Sequence, residues 1–537
     1  MKKPLLKPIK TFDIYEVIPK WWNNEQKSAK VAFLSALVIG FVTHIFIYTG
    51  RYYGNHDIGM VTHTAPTIAN GRWLNTLMLE LNLGYVLPLM TGIFITFFFA
   101  VSAFLICKLL EIEKSLNGFL IGAILTTFPS ISNTNLYLNN TLDFHFGAMV
   151  AVIAAYITVK YRRLFWLGSI LMMCSLAIYQ SKFNLALGLL LFILLKQLLH
   201  KDYTFVEFRK QAIRILFTIG LSGLIYVISI PISVFISKVP LGGHRGASYG
   251  NMYRSFLTIE GFTSSVKQVY YDFYLGFFGK EYIITDTLKV VYILLGGLFI
   301  LFLSAIIIRQ RIHIKPGRMA LIGLLIILIP MALNFADFVN TGNMVSTFMY
   351  AFSLIFVLII TLSEDYSIKE VLPLAKSVLV ICILFITIYY TIINNIYYLQ
   401  AYYINQRTNS FTTRLLTQID PLITETELRQ IAFFGGMPNE SYYEVPETFG
   451  KYKANAPSLG HHSFMQMQDD DEWRHNLFIT NIQNLHGVNL TALPHNELRD
   501  AIYEKIRIIN MPIWPAEGSI AVIDDVIVIN FGLKIEP

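Results

Sequence analysis

The chain has 537 residues, 54% of them hydrophobic and only 14% charged, with a mean hydropathy of +0.53. A soluble globular chain carries roughly 25% charge, so this composition excludes an ordinary soluble protein and points to a polytopic membrane protein. The net charge of +7 comes from Lys and Arg clustered between apolar runs, where they set membrane orientation; nucleic acid is excluded as the expected partner.

The first 30 residues hold Lys2, Lys3, Lys7, Lys10, Lys20, Lys27 and Lys30, with Trp21 and Trp22 just before the first apolar run. Lysines on the cytoplasmic side and tryptophans at headgroup depth fit a cytoplasmic, interfacial amino terminus. No short apolar region with a small-residue cleavage site precedes the first span, which is therefore expected to act as its own insertion signal. A bilayer core takes about 20 apolar residues per helix. That ruler gives about eleven spans, near 31–49, 84–109, 116–131, 146–160, 164–180, 185–199, 213–237, 288–308, 319–334, 345–362 and 376–398. The loops at Lys108–Lys114, Lys160–Arg163, Lys196–Arg214, Arg309–Arg318 and Glu364–Lys376 then fall on the cytoplasmic side, all but the last clearly basic. An odd number of spans places the carboxyl terminus outside.

Five loops face outward in this scheme. The first, Gly50–Trp73, carries Arg51, His56, Asp57, His63 and Arg72, and the second carries Asp143 and His145. The third is the brief YQSKFN at Tyr179–Asn184 with Lys182, and the fourth runs from Ser237 to Asp286 with Gly242, Gly243, His244, Arg245, Arg254, Lys267 and Lys280. A loop of that length is usually a lid or binding loop, and its VYYDFYLGFFG run reads as a short interfacial helix. The fifth, NFADFVNTGN, holds Asp337.

From about residue 400 the apolar runs shorten and charges become frequent, so residues 399–537 are expected to form a small soluble α/β domain outside the membrane. It reads as a strand at Gln430–Phe434, a helix at Asp470–Asn484 capped by Asp469–Asp471, a helix at Asn496–Ile508, and a closing hairpin of SIAVI and VIVINF around Asp524–Asp525. Cys107, Cys174 and Cys382 all lie in apolar runs and offer neither a disulfide framework nor a metal spacing. No internal repeat of the kind that builds transporters is evident.

A carboxylate at a membrane face with cations nearby is a candidate site for chemistry on a charged, lipid-linked substrate. Moving a sugar off a lipid phosphate needs a base for the acceptor hydroxyl, cations for the departing phosphate and a groove for the lipid tail. Asp57 and Asp143 are the candidate bases, with Asp57 preferred because it lies in a glycine-flanked polar loop at a span end. The competing readings are that Asp57 pairs with Arg51 or Arg72 to tie down the loop, and that Asp143 caps the fourth helix. Arg72, Lys182, Arg245 and Arg254 are the candidate phosphate ligands. Lys182 either snorkels to headgroups or meets a bound anion, and Arg245 either closes over a ligand or is an ordinary solvated loop charge. Asp469–Glu472 reads better as a solvated helix start than as a divalent-cation site, and His461 and His462 lack a zinc pattern.

The pieces NHDIG and GRW in the first outer loop, TTFPSIS at the end of the third span, LAIYQSKFN around Tyr179 and Gln180, and MPIWPAEGSIAVIDDVIVIN near the carboxyl end stand in this order along the chain. With this topology, the chain resembles the bacterial serotype-converting O-antigen glucosyltransferases of the type II kind, within the GT-C superfamily. The resemblance implies a polyprenyl-phosphate-linked donor carrying glucose or a related hexose, inversion at the sugar carbon, and transfer on the outer face of the plasma membrane to a polysaccharide or its lipid-linked precursor. It implies Asp57 as the base; His56, Tyr179, Gln180 and His244 are further candidate substrate-binding residues beside the cations. His56 stands where such families often carry a second acid, so a mechanism without a metal is expected, a divalent cation being the lesser alternative. The rival class is a transporter or flippase of lipid-linked saccharides, which predicts charges at mid-membrane; here they crowd the span ends.

Overall fold

The computed structural model describes residues 14–52, 54, 61, 67–76, 83–241, 258–279, 284–339, 346–368, 370–426, 429–435, 447–452 and 472–532. Its main helices are α1 (Ile14–Asn24), α2 (Lys27–Thr49), α3 (Pro88–Leu110), α4 (Ser115–Thr127), α5 (Thr141–Lys160), α6 (Phe165–Ile178), α7 (Phe183–Leu199) and α8 (Phe205–Ser237). They continue with α9 (Ile259–Phe278), α10 (Asp286–Arg309), α11 (Pro316–Leu333), α12 (Leu354–Ser363), α13 (Pro373–Thr426), α14 (Glu472–His486) and α15 (Glu497–Ile508).

Among the described residues, eight helices are long and apolar enough to cross a membrane: α2, α3, α5, α7 with the turn before it, α8, α10, α11 and α13. The other three expected spans coincide with shorter apolar helices, α4, α6 and α12. Each is cut short by an identifiable feature. Phe128 takes an extended backbone ahead of Pro129, as residues before proline do. Tyr179 breaks α6 from the 3₁₀ turn Gln180–Lys182, and a 3₁₀ stretch, Ser346–Ser353, precedes α12. The interfacial stretch VYYDFYLGFFG is the second half of a 20-residue helix, α9.

Where α4 crosses α2, small residues let the backbones touch, the packing device of helices that share an apolar solvent. A Cβ on Gly118 would lie 2.2 Å from the Ser28 carbonyl oxygen, and one on Gly122 would lie 2.0 Å from Ser35 Oγ and 2.4 Å from the Ala32 carbonyl oxygen. The expected basic loops gather at one end of the bundle. Glu111 accepts from Lys160 at 2.9 Å and Lys196 at 3.1 Å, Glu25 pairs with Lys108 at 2.8 Å, and Glu364 accepts from the backbone of Glu113 and Lys114.

Helix α13 contains 54 residues, about 80 Å of helix, far more than a bilayer core requires. The boundary expected at residue 399 falls inside it. Its first half packs Ile383, Ile386 and Tyr390 into the apolar bundle, whereas Phe411, Leu415 and Ile419 pack on Ile431, Phe433, Ile527 and Ile529 of a sheet. The sheet comprises β1 (Gln430–Phe434), β2 (Thr491–Ala492), β3 (Ile520–Ile523) and β4 (Val526–Asn530) in the order β2-β1-β4-β3, with β1 parallel to both neighbours and β3 antiparallel to β4. The expected hairpin turns at Asp524 and Asp525, both left-handed (φ 51° and 60°), as a two-residue turn matched to strand twist requires. Asn496 caps α15 by accepting from the Arg499 N–H at 3.1 Å.

Gly122→Val is expected to push α4 off α2 and lower the thermal unfolding midpoint of the purified protein, a cost of about 1–3 kcal/mol. Gly220→Ala, at a position with nothing within 4 Å, is the matched control and should leave the midpoint in place.

Candidate active site

At the end of the bundle away from the basic loops, the segment after the first span folds back into the helices. The 3₁₀ turn Thr67–Asn70 leads to Gly71, whose left-handed backbone (φ 70°) turns the chain so that Arg72 enters the protein. Leu74 N–H donates to the Ala177 carbonyl at 3.2 Å and Trp73 Nε1 to Ser229 Oγ at 2.9 Å, which fasten the segment to α6 and α8. Arg72 is only 8% exposed. Its Nε donates to Gln180 Oε1 at 3.2 Å, and its guanidinium lies 4.4 Å from the centre of the Tyr179 ring. Gln180 in turn donates to the Asn70 carbonyl and to the Tyr226 hydroxyl, both at 3.0 Å. The Phe144 and Tyr179 rings stack at 3.8 Å, so the cation rests on an aromatic floor.

Asp143 lies beside this cation. The N-cap of α5 is Asn140, and Asp143 sits within the first turn, buried, so it does not act as the cap. Its carboxylate is hydrogen-bonded to Asn75 and Asn140 and is within electrostatic reach of Arg72. Its Oδ2 has no hydrogen-bond donor among the described residues.

Lys182 departs from the snorkelling alternative. It is 1% exposed, too enclosed to reach headgroups. Nζ donates to the Thr347 carbonyl at 3.3 Å and lies 5.5 Å from the ring centres of both Tyr179 and Tyr350. No carboxylate pairs with it among the described residues. A buried amine with only rings and a carbonyl around it is a candidate anion site, because its charged form lacks a counter-ion here.

Five of the expected residues, Arg72, Asp143, Tyr179, Gln180 and Lys182, are thus brought into one cluster. Asp57, His56, His244, Arg245 and Arg254 lie outside the described residues, as do His461, His462 and Asp469–Asp471. Asn75, Asn135, Tyr226, Thr347 and Tyr398 escaped the sequence reading. Asn135 accepts from His145 Nε2 at 3.1 Å and donates to the Tyr398 hydroxyl at 3.1 Å, and Tyr398 meets His44 Nδ1 at 2.6 Å. Their one signal was a polar tip inside or beside an apolar span, which is common enough to be uninformative alone.

Helices α9 to α12 border an open apolar cavity of about 330 Å³, lined by Phe273, Phe277, Tyr292, Ile329, Pro330 and Phe356 among others. Among the described residues, no cluster of three or more His, Cys, Asp or Glu side chains has metal-binding geometry.

The sequence profile of a family described as glucosyl transferase GtrII matches residues 46–360. The chain belongs to that family. Searches of curated proteins and of solved structures found no match.

The GtrII match takes in Arg72, Asp143, Tyr179, Gln180 and Lys182 and the whole lining of the apolar cavity, and ends before α13 and the sheet. The chain is therefore a membrane-embedded glucosyl transferase with its polar cluster inside the family's own stretch. Within that cluster, Arg72→Lys keeps the charge but removes the planar fork that bonds Gln180 and covers Tyr179. We expect kcat/KM for the sugar donor to fall about 10- to 100-fold with the protein still folded, measured by donor turnover in detergent.

Proposed function

We propose that this glucosyl transferase takes glucose or a related hexose from a polyprenyl phosphate and passes it to a polysaccharide, or its lipid-linked precursor, on the outer face of a bacterial plasma membrane. The observation that carries the reading is the pair of buried cations, Arg72 and Lys182, at the end of the bundle opposite the basic loops. A phosphate dianion is the ligand class that satisfies two such groups, and the arginine fork suits its oxygens. The apolar cavity between α9 and α12 gives an isoprenoid tail a place inside the bundle. The orientation, with the amino terminus and basic loops cytoplasmic, follows the positive-inside rule.

In the proposed reaction the acceptor hydroxyl loses its proton to a carboxylate as its oxygen bonds the sugar carbon from the face opposite the lipid. The bond from that carbon to the phosphate oxygen breaks, and the phosphate leaves with the electron pair, held by Arg72 and Lys182. Asp57 is the base in this scheme. Asp143, already bound to Asn75 and Asn140 beside Arg72, is a positioning residue that aims the guanidinium. The acid-base step itself asks for no metal. The sheet region, carried on α13, is assigned to acceptor docking.

The test is purified protein in vesicles with polyprenyl-phosphate glucose and a saccharide acceptor. Release of free lipid phosphate with a glucosylated acceptor supports the reading; intact donor carried across the bilayer means a flippase instead. Asp57→Asn is expected to lower kcat by about 10²–10⁴ with donor binding retained. Asp143→Asn should mainly raise KM for the donor. The reverse pattern moves the base to Asp143.

A further inference from the structure

The apolar core under the sheet takes in two residues of the bundle. Val86 stands just ahead of α3 and Leu138 in the loop ahead of α5, and both are buried in one core with Phe411, Leu415 and Ile419 of α13 and Phe433, Ile527 and Ile529 of the sheet. Among the described residues, every other member of that core belongs to α13 or to the chain after it. Val86 and Leu138 are also close to one another, since both line a small pocket with Tyr48, Asn135 and Thr141.

Each of the two is tied to one side of the candidate active site. Leu138 lies in the loop Asn135–Thr141, closed by Thr141 Oγ1 donating to Asn135 Oδ1 at 3.0 Å and by the Asn140 and Thr141 N–H groups, each donating to the Tyr137 carbonyl at 2.9 Å. Asn140, two residues on, is hydrogen-bonded to the Asp143 carboxylate, which stands beside Arg72. Val86 N–H donates to the Val61 carbonyl at 3.0 Å, and Val61 belongs to the outer loop Gly50–Trp73, four positions along the chain from Asp57. Loops take their position from ties of this kind, having no ladder of their own to hold them.

Attaching the sheet to the bundle does not require these contacts. α13 already joins the two as one unbroken helix, with Tyr390 packed in the bundle and Phe411 in the core of the sheet. What Val86 and Leu138 add is a grip on the two loops that lead into the polar cluster. The GtrII match, residues 46–360, contains both of them, whereas the side chains that receive them lie beyond its end. Displacement of a reacting group by about 1 Å can cost about 10²-fold in rate, so a core that fixes such loops acts on the chemistry from a distance.

We propose that Val86 and Leu138 are positioning residues through which the sheet region sets the geometry of transfer: Leu138 holds Asp143, and with it Arg72, for the donor phosphate, and Val86 holds the outer loop that carries Asp57. The roles of the two acids rest on the reaction proposed above; the grip of the core on the two loops does not.

The test compares truncations within this one core, in full-length protein in nanodiscs. Leu138→Ala is expected to raise KM for polyprenyl-phosphate glucose about 10-fold with little change in kcat, and Val86→Ala to lower kcat about 10-fold with little change in KM. Leu490→Ala removes the same atoms from the sheet's side of the core, and should lower the unfolding midpoint while leaving both constants within about twofold of wild type. Leu138→Met, close in volume, should restore the wild-type KM. Equal kinetic losses in Leu490→Ala and Leu138→Ala, or no split between KM and kcat, overturn the inference and make the contact one of stability alone.

Hydrogen exchange reads the same grip without turnover. In Leu138→Ala the amides of Asn140, Thr141 and Phe144 are expected to exchange at least about 10-fold faster than in Leu490→Ala. Equal rates overturn the inference whatever the activity. A wild type that leaves the lipid donor intact while these amides respond as expected overturns the proposed function and keeps the hold of the core on the loop. Should Leu138→Ala fail to fold, Leu138→Val reads the same differences at smaller amplitude.

Discussion

Removing a charge from water in the middle of an apolar bundle is the constraint around which the rest of this structure is arranged. An isolated buried ion costs far more than a single helix-helix contact returns, so charges persist there only where neighbours or ligands compensate them. At the basic end of the bundle the compensation is internal, with Glu111 between Lys160 and Lys196 and Glu25 on Lys108. At the opposite end it is incomplete among the described residues: Lys182 has only rings and a carbonyl, Asp143 keeps one oxygen without a donor, and Asp337 faces a second acid, Asp272. The two ends of the bundle therefore differ in how far their buried charges are compensated.

The same constraint explains which helices are short. α4, α6 and α12 stop before a full membrane thickness, and the short segments adjoining them, Ser130–Asn135 after α4, Gln180–Lys182 after α6 and the 3₁₀ stretch before α12, bring Asn135, Lys182 and Thr347 into the interior. Irregular backbone at such depth survives only where protein or a cavity surrounds it. Here it is enclosed by α5, α7 and α13, so the breaks in the apolar helices and the polar cluster are one feature seen twice.

Much of this was legible in the sequence, for reasons that differ by element. Apolar runs of span length located the helices, because twenty apolar residues admit few other fates. The hairpin around Asp524–Asp525 was readable from runs rich in β-branched residues and a turn pair tolerant of positive φ, and the strand Gln430–Phe434 from a short apolar run. The length of α13 was not readable, since hydropathy falls at about residue 400 while the helix continues; a polar helix and the start of a domain look alike by composition. Within the site, Arg72, Gln180 and Lys182 stood out as polar groups at span ends; outside it, the buried Asp272 did not. It sits in a run of aromatics that reads as interfacial, and only the folded packing of α9 against Phe335–Val339 sets it opposite Asp337.

The lining of the cavity narrows the kind of substrate the bundle accommodates. The cavity lining is almost wholly apolar, which a free nucleotide-sugar, charged along its length, would find costly to enter. The hydrocarbon tail of the donor proposed above matches such a lining instead, since it would desolvate Phe273, Phe277 and Pro330. Arg72 and Asp143 lie together in the polar cluster, Arg72 belonging to the segment that follows the first span. On the side on which α13 carries the sheet, Val86 and Leu138 of the bundle share a core with Phe411 and Leu415.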